Sequence, residues 1–341
     1  MTVECGRIAR LALAAGLALC PALCTQASPR PASPADASAT IQAAQRQFDG
    51  GDYSGAITTL EQALSQSAPS ADVYYWLARS YYEVHDYDAA IAQAEKAVSL
   101  DPKNSLYHMW LGRAYGGKAD RENSFSAARR VKKEFVEAVR LDPSNIAARR
   151  DLEEYCLDAP WIVGGSKDEA FEQVNGIAAV DPLEGHLARA LFDYSTLKKP
   201  ELAESEYREV LNARPKRIEP YLEVADFFRR QNRTADLGST IQAAAQASPG
   251  DLRLAFYRGV AGVLDNTNLA GAEKNLKLYL ASTPERSDWP AHAAAREWLG
   301  RLYELQGKTL EAAEQYRAAL QLDPKRKEAK ERLDKLGKAT Q

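Results

Sequence analysis

The sequence predicts an all-α protein, an α-solenoid of about eight stacked helix pairs closed by a charged final helix. Prolines recur from Pro69 to Pro324 at spacings of 33 to 41 residues, the period of repeats that each contain two helices. Between them a Leu-Gly or Leu-Ala pair precedes an aromatic residue, as in Leu299-Gly300 before Tyr303. The last segment is charged around a narrow leucine stripe, as expected of a cap on the open end of a solenoid.

Composition limits the functions that this chain can have. The 341 residues are 45% hydrophobic and 27% charged, which predicts an ordered protein with enough apolar material for a long core. The formal net charge of −3 gives no general electrostatic attraction for nucleic acid, so no nucleic-acid partner is expected. After residue 27 no apolar run approaches the length that crosses a bilayer, so no membrane span is expected in the mature chain.

The first 27 residues predict an export signal. Arg7 and Arg10 precede the apolar stretch from Leu11 to Leu23, and small residues up to Ala27 follow where a signal peptidase cuts. This arrangement is typical of exported bacterial proteins, so we expect the mature protein to be periplasmic or secreted. Residues 28–37 are rich in proline and small side chains and predict a disordered linker.

A lipid anchor at Cys20 or Cys24 is the alternative to simple cleavage. Leucine precedes both cysteines, which departs from the small residue found before a lipidated cysteine. Cleavage after Ala27 leaves Cys156 as the single cysteine of the mature chain, so no internal disulfide is expected. Cys156 stands where the first helix of its repeat normally carries an aromatic residue, which predicts a buried packing role and not a nucleophile.

The residues between the prolines resemble the tetratricopeptide repeat family. Trp298-Leu-Gly-Arg-Leu-Tyr303 with Ala312, Tyr316 and Ala319 fits the family pattern, in which small residues let two helices approach and aromatic rings fill the space beside them. The resemblance covers about residues 38–338. It gives repeats at about 38–70, 71–104, 105–145, 146–184, 185–217, 218–251, 252–286 and 291–326, and a cap at 325–338.

This resemblance implies a right-handed superhelix whose concave face is lined by the first helix of every pair. Members of the family usually bind a peptide or a partner helix on that face, so we expect a protein or peptide partner, no cofactor and no catalysis. The positions expected to point inward are Tyr75, Arg79, Tyr82, Met109, Arg113, Arg150, Glu154, His186, Arg189, Asp193, Asp226 and Arg229.

Two insertions interrupt the regular repeats. About seven extra residues around 116–125 are expected between the helices of repeat three, and about five around 159–168 between those of repeat four. Because both fall in the same connection of neighbouring units, they should lie side by side on one edge of the solenoid. The residues Lys118, Arg121, Trp161 and Lys167 mark this edge as an alternative site, through which the chain would serve an envelope enzyme or a polysaccharide export system as an accessory subunit.

The repeat-four insertion contains Gly164-Gly165 followed by Ser166, which predicts a tight turn into a helix capped by the Ser166 hydroxyl. An anion site at that helix start, aided by Lys167, is the alternative, although Asp168 and Glu169 oppose it. The apolar segment 161–163 is expected to pack against the repeat-three insertion, with exposure to a partner as the other possibility.

A basic cluster begins the second helix of repeat three. Arg129, Arg130, Lys132 and Lys133 either form a solvated helix face, diluted by nearby glutamates, or contact an acidic segment of a partner. The four histidines lie in different repeats or linkers, and no pair of ligands has the spacing of a metal site, so no metal is expected.

Overall fold

The computed structural model describes residues 34–66 and 69–339, and these residues form helices connected by short turns. The predicted export signal and Cys5, Cys20 and Cys24 lie outside the described residues. The helices are α1 (Pro34–Asp49), α2 (Tyr53–Gln66), α3 (Ala71–Glu83), α4 (Tyr87–Leu100), α5 (Ser105–Glu122), α6 (Phe125–Leu141), α7 (Ile146–Asp158), α8 (Lys167–Val180), α9 (Pro182–Phe192), α10 (Pro200–Asn212), α11 (Glu219–Arg230), α12 (Thr234–Ala247), α13 (Arg253–Leu264), α14 (Leu269–Ser282), α15 (His292–Leu305), α16 (Thr309–Leu322) and α17 (Lys327–Ala339).

These helices form eight consecutive pairs, from α1 with α2 to α15 with α16, and α17 packs on α16 as the cap. The predicted all-α solenoid is therefore confirmed. The first pair starts at Pro34, inside the segment predicted as linker, and the fifth starts at Pro182 and not at residue 185. Proline suits the first position of a helix because its amide would have no helical partner there, which explains both early starts.

A residue with left-handed backbone lies in the turn between the two helices of every pair. In six of the eight turns it is an asparagine or a glycine, which adopt this conformation readily, as Asn123 does with φ of 52° and Gly307 with φ of 71°. The eight residues are Gly51, His85, Asn123, Gly164, Lys198, Asn232, Asn266 and Gly307. The same turn geometry therefore recurs through the chain even where the side chains differ.

Close helix crossings explain the glycine of the Leu-Gly pairs. A β-carbon placed on Gly112 would lie 2.5 Å from the ring of Phe135, and one on Gly300 would lie 2.5 Å from the ring of Tyr316. Both distances are far inside van der Waals contact, so only glycine lets the second helix of the pair pack this closely. The predicted small-residue role at these positions is confirmed.

The core runs along the stack and is not gathered in one centre. Buried side chains from α1 to α3 form one cluster, and another extends without interruption from Leu187 in α9 to Ala329 in α17. Each helix pair thus buries its apolar face against its neighbours in sequence. Such a stack depends on contacts between adjacent repeats for its stability.

The repeat-three insertion is helical, which corrects the prediction of extra residues between two helices. Helix α5 continues through Gly116 and Gly117 to Glu122, and the turn that follows contains only Asn123 and Ser124. The extra residues therefore lengthen the first helix of this repeat. A β-carbon on Gly117 would collide with the ring of Tyr87, so this glycine lets the lengthened helix pass close to α4.

The repeat-four insertion forms a short 3₁₀ turn at Trp161–Val163. Ser166 caps α8 by accepting a hydrogen bond from the backbone N–H of Glu169 at 3.3 Å, as predicted. The packing prediction for the apolar segment is wrong for two of its three residues. Val163 is buried, but Trp161 is 84% exposed and Ile162 is 52% exposed.

Candidate functional site: the concave groove

The first helices of the repeats form the inner layer of the solenoid. Helix α1 contacts α3, α3 contacts α5, α5 contacts α7, α7 contacts α9, and α13 contacts α15. Within residues 34–66 and 69–339, no second helix makes a comparable contact with the next second helix. Because the first helices lie closer together, the stack curves toward them, and they line its concave face as predicted.

The loop between α14 and α15, residues 283–291, crosses this concave face and is called the crossing loop below. The Tyr53 hydroxyl in the first repeat donates to the backbone carbonyl of Glu285 at 2.8 Å. The Glu83 carboxylate in the second repeat accepts hydrogen bonds from the Ser287 amide at 3.0 Å and from the Ser287 hydroxyl at 2.7 Å. Repeats at the two ends of the chain therefore meet through this loop.

Two further contacts join the ends of the superhelix. The Arg286 guanidinium lies 5.9 Å from the ring centroid of Phe48 in α1. The Lys325 ammonium, just before α17, lies 3.1 Å from the Asp120 carboxylate at the end of α5. The described chain thus completes about one turn, and the turn closes on itself along the edge of the groove.

The crossing loop divides the groove into two chambers, because Ser287 and Asp288 line both of them. The N-terminal chamber has a volume of about 720 Å³. Its walls combine aromatic rings with carboxylates, and one cation lies among them. The lining includes Tyr82, Trp110, Arg113, Asp151, Glu154 and Asp158.

Negative charge dominates the N-terminal chamber. Arg113 pairs with Asp151 at 2.6 Å and stacks on the ring of Trp110 at 4.8 Å from its centroid. Glu154 and Asp158, one turn apart on α7, have no ion-pair partner among the described residues. Partial burial and then the carboxylates of Asp151 and Asp158 raise the pKa of Glu154. A cationic group of a ligand would relieve this repulsion.

The C-terminal chamber has a volume of about 890 Å³ and lies between α11, α13, α15 and the cap. Its charges are largely paired within the protein, as in Arg326 with Glu297 at 2.8 Å and Arg229 with Asp226 at 2.9 Å. Arg301 lies 3.9 Å from the ring centroid of Trp298, and burial lowers the pKa of this guanidinium. Arginine and aromatic side chains arranged in this way are typical of surfaces that bind proteins.

An aromatic cluster surrounds Arg79 at the N-terminal end of the groove. The guanidinium carbon lies 4.3 Å from the ring centroid of Trp76, 4.6 Å from that of Phe48 and 4.8 Å from that of Trp110. No carboxylate pairs with Arg79 among the described residues, and its Nε atom is buried without a hydrogen-bond partner. Cation–π attraction to several rings holds the charge in place.

Between the chambers, Arg150 on α7 connects three repeats. Its guanidinium pairs with Glu184 on α9 at 3.1 Å and with Glu223 on α11 at 2.9 Å, and Arg217 also contacts Glu184. The neighbouring Glu153 is 0% exposed, and both of its carboxylate oxygens lack a hydrogen-bond partner. Burial raises the pKa of Glu153 to about 8, so this group stays largely protonated at neutral pH.

Several of the predicted groove residues do line the groove. Tyr82, Arg113 and Glu154 border the N-terminal chamber, and Asp226 and Arg229 border the C-terminal chamber. Arg79 and Arg150 lie on the inner face with the contacts described above. Tyr75 and Met109 are buried in the layer of first helices and present almost no surface to a ligand.

The three predicted residues in α9 and directly after it lie elsewhere. His186 pairs with Glu206 on α10 at 2.6 Å, Arg189 lies over the ring of Phe171 on α8, and Asp193 is buried beside Arg189. The inward position of α9 is Glu184, which meets Arg150. Because each helical residue turns by about 100°, a residue two positions later points to the opposite side.

The predicted insertion edge is partly closed by internal contacts. Lys118 pairs with Asp88 on α4, and Arg121 donates to the carbonyl of His85 at 2.8 Å. Trp161 and Lys167 are exposed.

Cys156 is buried as predicted, and burial raises the pKa of its thiol to about 11. In the part of the chain that the structure describes, no three His, Cys, Asp or Glu side chains are placed to hold a metal ion.

Sequence reasoning missed the groove residues that depend on the crossing loop. Ser287, Asp288 and Trp289 border a chamber although they lie in a connection between repeats. The only sequence signal was the unusual length of that connection, from Thr283 to Ala291.

None of the helices described, from α1 to α17, is long and apolar enough to span a bilayer.

Two segments of the chain match family models described as tetratricopeptide repeat, at residues 47–115 and 263–327. Among solved structures, the chain is similar to one in the APC/C hetero-tetramer Cut9–Hcn1, with 13% identity and a TM-score of 0.51. That match covers 87% of this chain and 55% of the other, so this chain spans about half the length of that relative.

Two other solved structures are similar at lower TM-scores. They are a tetratricopeptide repeat protein from Parabacteroides merdae ATCC 43184 (17% identity, TM-score 0.48, 78% of this chain and 98% of that one) and the TPR domain of P58(IPK) (15% identity, TM-score 0.32, 90% and 99%). A comparison with curated proteins gave no match.

Proposed function

We propose that this chain, which is a tetratricopeptide repeat protein, is a binding scaffold of the cell envelope that holds a segment of a partner protein in its concave groove. Repeats of this family generally mediate binding between proteins. The envelope location rests on the export signal predicted from residues 1–27. Binding, and not catalysis, is the proposed activity.

One observation carries the proposal. The N-terminal chamber presents Glu154 and Asp158, which have no ion-pair partners in the described ranges, next to the rings of Tyr82 and Trp110. A carboxylate that the fold needs for its own stability is usually paired, as Asp151 is with Arg113. Unpaired charge beside aromatic faces in a groove of about 720 Å³ suits a peptide that carries a basic side chain.

Photo-crosslinking tests the proposal. A photoreactive phenylalanine analogue replaces Glu154 in the groove or, as the matched control, Glu172, which is exposed on the outer helix α8 of the same repeat. We expect the Glu154 position to form a crosslink to one defined segment of a partner from envelope extract, and the Glu172 position to form none. Equal crosslinking from both positions would contradict a groove site.

An accessory role through the insertion edge is the second candidate function. The exposure of Trp161 and Ile162 favours it, because a large apolar side chain held at the surface by an ordered turn is available to another molecule. Replacing Trp161 by alanine should weaken that association and leave crosslinking from Glu154 intact. If association is unchanged in the Trp161→Ala variant and crosslinking from position 154 persists, the groove alone would be favoured.

A further inference from the structure

A second groove lies on the convex side of the solenoid, between α4 and α6, the outer helices of repeats two and three. Its volume is about 780 Å³. The apolar part of its lining comes from Val98, Leu111, Val136 and Val163, of which Leu111 and Val163 are buried and Val136 is 43% exposed. This convex groove is separate from both chambers of the concave face.

Cations line the rim of the convex groove, and two of their side chains are unpaired within the described part of the chain. Arg130 is 3.6 Å from Glu95, and Lys132 is 2.7 Å from Glu169 on α8. Arg129 and Lys133 line the same groove, and the side chain of neither has an ion-pair or hydrogen-bond partner in residues 34–66 and 69–339.

The carboxylates of the convex groove are already engaged. Glu134 accepts from the His108 ring at 2.8 Å, Glu137 pairs with Arg140 at 2.6 Å, and Glu95 faces Arg130. The Glu134 hydrogen bond raises the pKa of His108, which favours its positive form. The charge that remains uncompensated at the rim is therefore positive.

A rigid apolar edge borders the same groove. Val163 lines it, and the two preceding residues, Trp161 and Ile162, are exposed. The turn that carries them is fixed: the Tyr155 hydroxyl donates to the Val163 carbonyl at 2.8 Å, and Lys132 donates to the Gly164 carbonyl at 2.7 Å. A partner that covers Trp161 would bury a large aromatic surface with little loss of conformational freedom.

We propose that the convex groove is a docking site for an acidic amphipathic helix of a partner protein. The apolar face of that helix would lie on Val98 and Val136, and its carboxylates would meet Arg129 and Lys133. Trp161 would pack against one end. A channel between two helices matches the width of a third helix, whereas a flat lipid surface would not enter it.

Two synthetic helical peptides test the proposal on the full chain. Both have the same apolar face, but one carries glutamates on its flanks and the other carries lysines. Binding of labelled peptide is followed by fluorescence anisotropy at low and at physiological salt. We expect the acidic peptide to bind at least tenfold more tightly than the basic one, with an affinity that falls as salt rises.

Charge reversal locates the site. The double variant Arg129→Glu/Lys133→Glu should weaken binding of the acidic peptide at least tenfold, and Trp161→Ala should weaken it severalfold. The matched control is Lys274→Glu/Arg317→Glu, two exposed residues on the distant outer helices α14 and α16, and it should bind as the unaltered chain does. All three variants change surface side chains, so circular dichroism should show unchanged helicity.

Three outcomes would overturn this proposal. The first is equal affinity for the two peptides, and the second is unchanged binding of the acidic peptide by the Arg129→Glu/Lys133→Glu variant. The third is that phosphatidylglycerol vesicles retain the protein through Arg129 and Lys133 while the acidic peptide does not bind. The variant Glu154→Lys/Asp158→Lys alters the concave groove alone. It should leave binding of the acidic peptide unchanged, so failure of the concave site and failure of the convex site can be told apart.

Discussion

The hydroxyl of Tyr53, at the start of the second helix, donates a 2.8 Å hydrogen bond to the backbone carbonyl of Glu285, which lies 232 residues further along the chain. In a solenoid most contacts join neighbouring repeats, so a contact between the first repeat and the loop before the last is unusual. It closes the superhelical turn and gives the concave groove a fixed circumference. The crossing loop therefore lies across the groove that a ligand would enter.

Weakening the contact between Glu83 and Ser287 should loosen the crossing loop. Glu83→Gln removes the charge from the acceptor of the two Ser287 hydrogen bonds, a change that costs about 1 kcal/mol. We expect the Ser287 amide to exchange with deuterium roughly fivefold faster, as measured by mass spectrometry. Glu61→Gln is the control, because Glu61 pairs locally with Tyr81. Equal exchange at Ser287 in both variants would show that the loop is held by other contacts.

Two glycines with opposite surroundings test the packing of the helix pairs. Gly300→Ala places a β-carbon 2.5 Å from the Tyr316 ring, so it should lower the free energy of unfolding by about 1 to 3 kcal/mol. Gly238→Ala, on the outer helix α12, meets nothing within 4 Å and should raise it by about 0.5 to 1 kcal/mol. Urea titration measures both. Similar effects of the two changes would contradict the close crossing at Gly300.

Glu153 should make stability depend on pH. Burial raises the pKa of this carboxyl from 4.5 to about 8, so the folded state holds a proton that the unfolded chain releases. The stability linked to this group is fully present below about pH 4.5 and is lost as pH rises toward 8. The loss by pH 7 is on the order of 3 kcal/mol of unfolding free energy.

Replacing Glu153 by glutamine removes this titration. The free energy of unfolding of Glu153→Gln should fall less between pH 5 and pH 8 than that of the unaltered chain, by about 3 to 4 kcal/mol in urea titrations. Glu172→Gln, an exposed change in the same repeat, should keep the original pH profile. A Glu153→Gln profile that matches the unaltered one would mean that the carboxyl is solvated.

Cys156 should report unfolding. The thiol is 2% exposed, and burial raises its pKa to about 11, so little reactive thiolate exists in the folded protein at neutral pH. We expect a thiol reagent to label Cys156 in the mature chain only at the rate of unfolding. Ser126→Cys adds an exposed thiol on α6 as the positive control and should react within seconds to minutes. Fast labelling of Cys156 in native protein would contradict its packing role.

The helical stack could be predicted from the sequence because its determinants are local. Pro102 and Pro324 end helices, and Gly112 and Gly300 allow close crossings, so each pair can be located from its own residues. The inner face of α9 was harder to predict. Its register depends on Glu184 meeting Arg150 from another repeat, and the shift from Glu184 to His186 is enough to reverse the face.

The crossing loop could not be predicted. Whether residue 285 meets residue 53 depends on the sum of small rotations between eight repeats, and no single repeat encodes that sum. The exposure of Trp161 was missed for a related reason. An apolar residue in a loop packs wherever the folded surroundings offer a cavity, and the lengthened helix α5 offers none to this side chain.

The most direct test of the scaffold proposal measures where a bound partner protects the chain. Hydrogen exchange is followed for the protein alone and with the partner segment identified by crosslinking from position 154. The account predicts slower exchange in the inner helices α5 and α7 and in the crossing loop, with outer helices α8 and α10 unchanged. Protection confined to the outer helices, with α5, α7 and the crossing loop unaffected, would contradict it.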